Sequence, residues 1–554
     1  MSKPAAIVLL AALLVAAWGT DARADKRTVC TITVNSPDEK ETFRRYLPGD
    51  QYQFVELVER GRPDWLASAC RQGVRCDMLV ISGHFDSTTE FYSDRLDVRE
   101  SLPVAELERV SCSDSCPGLF SQLKEVYLFG CNTLNAEVNA STTPEAVRSL
   151  VRSGHSLADA ERLARALDEA HGDSSRERMR RIFHDVPAIY GFSHLAPLGP
   201  TAALRLSRYL ESAPLEEVGS GRLSSALLSQ FAVHSMTVAS GLTDADPQSA
   251  YRREVCQFVD DRHSPAGKLA FIHELLHRDM AEVRMFLDRI EGFFASLPAS
   301  ERQSPSFVEA QGRIARDDAT RERYMRFADD ADQSATRARM IDLAGPLGWL
   351  SPEAQRAERL RMIGDLLARQ SLAAADVDLV CSLNQGRELD GELDRFRLPP
   401  VAGDKVTHAA VLACLGSADA RARVLAALTS RDDDAAAIAQ VYLRHRPITD
   451  VAELRGVASG IARMTVSGAQ IRALDTLARH HVSDHQSLEA LAGLFPQARS
   501  VEVQRAIAAV LIRADYQALA KAEVARLLSR YRLKSPDGND IIDILIRRLR
   551  MAQS

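Results

Sequence analysis

Between residue 28 and about residue 215, short apolar runs alternate with amphipathic stretches. Residues 28–34 (TVCTITV) are β-branched and alternating, which predicts a strand, and 38–46 read as a helix entered after Ser36-Pro37. A second strand is expected at 51–58 (QYQFVELV), followed by a helix at 64–71. Residues 78–82 (MLVIS) are continuously apolar, the pattern of a strand buried on both faces, and 126–130 (VYLFG) repeat it. A charged, helix-forming region covers 144–182, and a fifth strand is expected at 186–192 (VPAIYGF). Strands separated by helices build a mainly parallel sheet, hence an α/β domain.

Beyond about residue 240 the period changes. Leu269, Ile272, Leu276, Met280, Val283, Phe286 and Ile290 recur at helical spacing, and 300–370 is polar, arginine-rich and helical in pattern. From residue 376 onward short amphipathic helices succeed one another at 406–415, 420–428, 435–443, 469–480, 486–495, 501–512 and 522–531. A pair of such helices cannot cover its own apolar face, so stacking into a solenoid is expected. The segment GSADARARVLAALTSRDDDAAAIAQVYLRHRP resembles a HEAT repeat. The expected organisation is a signal peptide at 1–24, an α/β domain at 25–240, a helical connector at 241–374 and a HEAT-like all-α domain at 375–554.

The composition adds little about chemistry. With 46% hydrophobic and 26% charged residues, 554 residues provide material for real cores. The net charge of −6 gives no electrostatic reason to expect nucleic-acid binding. The N-terminus is more telling. Lys3, the apolar run from Ala5 to Trp18 and the small-x-small triplet Ala22-Arg23-Ala24 form a secretory signal with cleavage after Ala24. A periplasmic or secreted protein is expected, with no membrane span in the mature chain. Its nine cysteines (Cys30, Cys70, Cys76, Cys112, Cys116, Cys131, Cys256, Cys381 and Cys414) would then pair, leaving at least one thiol over. Cys70 with Cys76 and Cys112 with Cys116 are close enough in sequence to pair; Cys131 is expected to stay free.

Candidate chemistry concentrates where two apolar strands end. MLVIS runs into Gly83-His84, and VYLF runs into Gly130-Cys131-Asn132-Thr133. Ligands of parallel α/β sheets bind at the carboxyl ends of strands. His84 could therefore activate Cys131 as a nucleophile, and a helix starting near Asn132 would favour the thiolate.

These residues, 47 apart, resemble the caspase-like (clan CD) cysteine peptidases, in which one strand ends in the catalytic histidine and the next core strand ends in the cysteine. Cys131-Asn132-Thr133 resembles the Cys-x-Thr of the CHAT, separase-like branch, and PAIYGFS resembles the strand that follows it. The resemblance covers about residues 28–215. It departs from the family at Phe85, where glycine is usual, and at Gly130, where alanine is usual. It implies a His84–Cys131 dyad hydrolysing peptide bonds, an oxyanion received by the backbone amides of Phe85 and Cys131, and no cofactor. A protein or peptide is the implied substrate, and the helical repeats offer a surface for a protein partner. The alternative is a non-catalytic scaffold on a dead caspase-like fold.

A second alternative is a zinc metallopeptidase at His273-Glu274-Leu275-Leu276-His277, with Glu274 as base. Arg278 and Asp279 follow the motif, and Glu291 is a loose third ligand, so a solvated helix face with no metal is the expectation. His155, His171, His184, His480 and His481 sit among charges and are read as surface residues.

Overall fold

A computed structural model describes residues 26–57, 65–94, 100–113, 116, 118–137, 144–152, 154–171, 173–392, 405–480, 482–538 and 540–552. The expected signal peptide and its cleavage site lie outside these residues, as does His481. The chain divides into two compact units, one ending at Thr320 and the other beginning at Arg321.

The first unit is built on a six-stranded sheet. Its strands are β1 (Arg27–Thr33), β2 (Tyr52–Glu56), β3 (Met78–Ser82), β7 (Glu125–Phe129), β8 (Ala188–Phe192) and β9 (Met236–Ala239), in the order β2-β1-β3-β7-β8-β9. The first five in that order run parallel, and β9 lies antiparallel to β8. The hydrophobic pattern explains the layering, because successive strand residues face opposite sides. Leu79, Ile81, Val126, Leu128 and Ile189 pack on one face with Leu66, Leu107 and Met179. Met78, Val80, Tyr127, Phe129 and Tyr190 pack on the other with Phe43, Leu206 and Leu227. Helices Trp65–Arg71, Val104–Cys112 and Ser175–Ile182 thus cover one side, and Asp38–Tyr46, Gly199–Ser212 and Ser225–Gln230 the other.

Between β3 and β7 a small antiparallel sheet of β4 (His84–Phe85), β5 (Glu90–Tyr92) and β6 (Ser101–Pro103) is inserted. Strands of two or three residues carry too little pattern to be read in advance, and β9 was likewise not anticipated. The single charged helical region expected at 144–182 comprises three helices, Pro144–Arg152, Leu157–His171 and Ser175–Ile182. His171 is a correction to the surface reading. It is only 8% exposed, its ring against Tyr251 and Phe286.

The helices between 249 and 296 are fastened to the α/β layer by covalent and ionic links. Cys112 on helix Val104–Cys112 is bonded to Cys256 on helix Ser249–Val259. On the same two layers, Arg289 grips both carboxylate oxygens of buried Glu108. Arg181, also buried, donates to Asp173 at 2.5 Å and lies over the Tyr251 ring. The disulfides also correct the local pairings: Cys70–Cys76 and Cys112–Cys116 do not form. The bonds are Cys30–Cys76, Cys70–Cys116, Cys112–Cys256 and Cys381–Cys414, and Cys131 is free, as expected. Neighbours in space, set by the sheet and its covering helices, decided the pairing, and sequence distance did not.

Among its described residues the second unit is all helical. Helices Val406–Cys414, Ala418–Leu428, Asp433–His445, Val451–Ala462, Ser467–Leu477, His485–Gly493, Val501–Leu511, Lys521–Tyr531 and Ile541–Met551 follow in succession around one continuous apolar core. Ser417, Asp432, Asp450, Asp484, Ser500 and Asp540 each cap the helix that follows by accepting from its first amides.

Removing Arg289 leaves the Glu108 carboxylate buried without its counter-charge. Arg289→Ala is expected to cost about 3–5 kcal/mol of stability, read as a lowered denaturant midpoint.

Candidate functional site

The strand order reverses between β1 and β3, and a parallel sheet opens a crevice at such a point, above its carboxyl ends. His84 and Cys131 both stand on that rim. β3 and β7 are parallel neighbours with Ser82 opposite Phe129, and the Gly83 amide donates to the Phe129 carbonyl at 3.1 Å. His84 and Cys131 are each the second residue past their strand, on chains that leave the sheet side by side.

Gly130 makes this close exit possible. A methyl at position 130 would lie 2.9 Å from the Gly83 carbonyl oxygen and 3.0 Å from Phe85 Cβ. Gly191 does the same from β8, where a methyl would meet the Thr133 hydroxyl at 2.6 Å. Thr133 uses that space: its hydroxyl donates to the Gly130 carbonyl at 3.1 Å and accepts from the Phe192 amide at 3.1 Å. Asn132 takes a left-handed conformation with φ 58°, which asparagine tolerates, and its amide donates to the His194 carbonyl at 2.7 Å. The turn carrying Cys131 is thereby pinned on both sides. The helix expected to start near Asn132 is not there; residues 131–134 form this turn, and the next described helix begins at Pro144.

Cys131 is half-buried, and its sulfur accepts a hydrogen bond from the Ala196 amide at 3.3 Å. His84 Nε2 faces the Asp94 carboxylate at 3.3 Å, and its ring rests 5.4 Å from that of Tyr92. With Nε2–H donated to Asp94, Nδ1 becomes the proton-accepting nitrogen. The amide of Cys131 donates to none of the described residues. For Phe85 the ladder gives the direction. Asp86 donates to Glu90, so the Asp86–Glu90 pair is hydrogen-bonded and the Phe85–Phe91 pair is not. The Phe85 N–H therefore points away from β5, to the open edge of the small sheet.

Under the rim lies Glu39, on helix Asp38–Tyr46 and 3% exposed. Burial pushes its carboxyl up to about 7, against hydrogen bonds from its own amide and from Ser82 and Ser36. Oε2 meets no partner among the described residues.

The HELLH residues form a separate group. His273 lies on helix Pro265–Leu276 and His277 caps its end. Both Nε2 atoms face the same oxygen, Asp317 Oδ2, at 3.0 and 2.8 Å. Glu274 is exposed, and Glu291 does not belong to the cluster; Asp317 takes the place proposed for it.

No family model matches the chain, and no match to it was found among curated proteins. Among solved structures, the crystal structure of an engineered protein aligns over 74% of this chain and 98% of its own. At 14% identity and a TM-score of 0.22 it carries no argument about fold or chemistry.

Sequence reading missed Asp94, Ala196, Glu39 and Asp317. Only Asp317 left a trace, as an aspartate three residues before Thr320 at a helix start, the signature of an N-cap.

The Glu39 shift has a definite sign. The unfolded carboxyl titrates near 4.5 and the folded one near 7, so the native state holds an extra proton between those values. Stability contributed by this group is therefore greatest at low pH, falls as pH rises from 4.5 to 7, and is flat above. Glu39→Gln is expected to match the parent near pH 4.5 and to exceed it at pH 8 by up to about 3 kcal/mol in chemical denaturation.

Proposed function

We propose that the protein is an exported caspase-like cysteine peptidase in which His84 and Cys131 form the dyad and the C-terminal helices form a HEAT-like surface for a protein partner. The observation that carries this reading is the paired exit of β3 and β7. It delivers an imidazole and a thiol, the one unpaired cysteine of nine, from adjacent strand ends at the carboxyl edge of the sheet. Export is supported by the four disulfides, which an oxidising compartment makes and keeps.

In this mechanism His84 Nδ1 takes the Cys131 proton and the sulfur attacks the peptide carbonyl. The N–H groups of Cys131 and Phe85 receive the oxyanion. The imidazolium then protonates the leaving amine, and water, deprotonated by the same ring, releases the acyl group from sulfur. Asp94 is a positioning residue that fixes the ring through Nε2. The Ala196 amide stabilises the thiolate by donating to it.

The departure from the caspase-like pattern at Gly130 has a local cause. A methyl at 130 would lie 2.9 Å from the Gly83 carbonyl oxygen and 3.0 Å from Phe85 Cβ, so this exit takes glycine before the cysteine.

The test is digestion of a denatured-protein or peptide-library substrate, read by mass spectrometry. The parent chain is expected to cleave, and Cys131→Ala and His84→Ala each to lose at least about 10³-fold. Asp94→Asn is expected to lose less, about 10-fold. Absence of cleavage in the parent, or cleavage that survives Cys131→Ala, overturns the peptidase reading and leaves the scaffold.

A further inference from the structure

The HELLH helix is not used by the dyad chemistry, yet the fold completes it. We propose that His273, His277 and Asp317 are a binding site for a divalent transition metal, Zn²⁺ in particular, independent of the thiol site. Two imidazole nitrogens and one carboxylate oxygen are borderline donors that suit zinc and disfavour calcium or magnesium.

The geometry is close to a ligand set. The two Nε2–Oδ2 separations are 3.0 and 2.8 Å, and all three ligand atoms lie within 4.8 Å of one another. A tetrahedral zinc with bonds near 2.0–2.1 Å places its ligands about 3.3 Å apart, so both nitrogen–oxygen separations are within a few tenths of an ångström of what the ion needs. The histidines are four residues apart along one helical stretch and therefore share a face, their rings 4.6 Å apart. Asp317 comes from the opposite side, at the start of helix Asp318–Asp329. Its Oδ1 accepts from the Thr320 amide at 3.1 Å, which fixes the carboxylate plane and leaves Oδ2 aimed at both rings. A carboxylate held in this way by an outer hydrogen bond is how proteins orient metal ligands.

On binding, each ring offers its Nε2 lone pair, keeping its proton on Nδ1, and Oδ2 becomes the third ligand. His277 is 54% exposed, so the ion has an entry path and a water takes the fourth position. Glu274 is outside the ligand set. The ion would clamp the end of helix Pro265–Leu276 to the first turn of helix Asp318–Asp329.

The experiment is isothermal titration of the chelator-treated full chain with ZnCl₂, paired with Co²⁺ absorption and thermal melting. One Zn²⁺ per chain is expected at micromolar affinity or better, with visible d–d bands from Co²⁺ and a higher Tm with zinc. His273→Ala with His277→Ala should abolish all three signals. Asp317→Asn, which keeps a side chain able to cap the helix, should weaken binding at least about 10-fold. Cys131→Ser and Glu274→Gln should bind as the parent does, so the result stands apart from that of the peptidase assay. Failure of the parent to take up one zinc, or uptake that survives loss of both histidines, overturns the site. Unchanged affinity in Asp317→Asn overturns the third ligand.

Discussion

Where β3 and β7 leave the sheet, two backbones pass so closely that position 130 has no room for a side chain: the Gly83 carbonyl and Phe85 Cβ already fill the space. Much of what surrounds the proposed dyad follows from that contact. Parallel register puts Ser82 beside Phe129, so the residues after each glycine emerge at the same height above the sheet. The turn from Gly130 to Leu134 is then held by Thr133 and Asn132 against β8 and the segment after it, which brings the Ala196 amide to the sulfur. On the other side, β4 turns into the small antiparallel sheet, leaving the Phe85 amide at a free edge and His84 above Tyr92 and beside Asp94.

The support for this rim reaches well beyond the α/β layer. The bond between Cys112 and Cys256, and the Arg289–Glu108 pair, fasten the helices past residue 249 to a helix that packs directly on the sheet. Buried ion pairs of this kind contribute little net stability but are costly to break from one side, which makes them good determinants of a single arrangement. They also tie helices whose sequence pattern differs from that of the sheet region into the first compact unit.

The buried strands were legible because MLVIS and VYLF are continuous apolar runs, and the register of those runs placed His84 and Cys131 at their ends. The C-terminal helices were legible from amphipathic spacing. Three kinds of feature were not. Strands of two or three residues, such as β4 to β6, have no period to detect. Disulfide partners are chosen by proximity of Cα atoms in the fold, so Cys70 finds Cys116 and passes over Cys76, six residues away. Residues that act by converging on another side chain carry no local signal. Asp94 belongs to no pattern, Ala196 acts through its backbone, and Asp317 meets the HELLH histidines from 40 residues beyond His277 in the sequence.

The central claim, that Cys131 is a thiol activated by His84, is tested most directly by the rate of alkylation in the native chain. With the eight other cysteines held in disulfides, iodoacetamide at pH 7 should label Cys131 alone. The account predicts a rate at least about 10-fold above that of a simple free thiol, falling to the simple-thiol rate in His84→Ala. A slow rate in the parent, or one indifferent to the loss of His84, would contradict it.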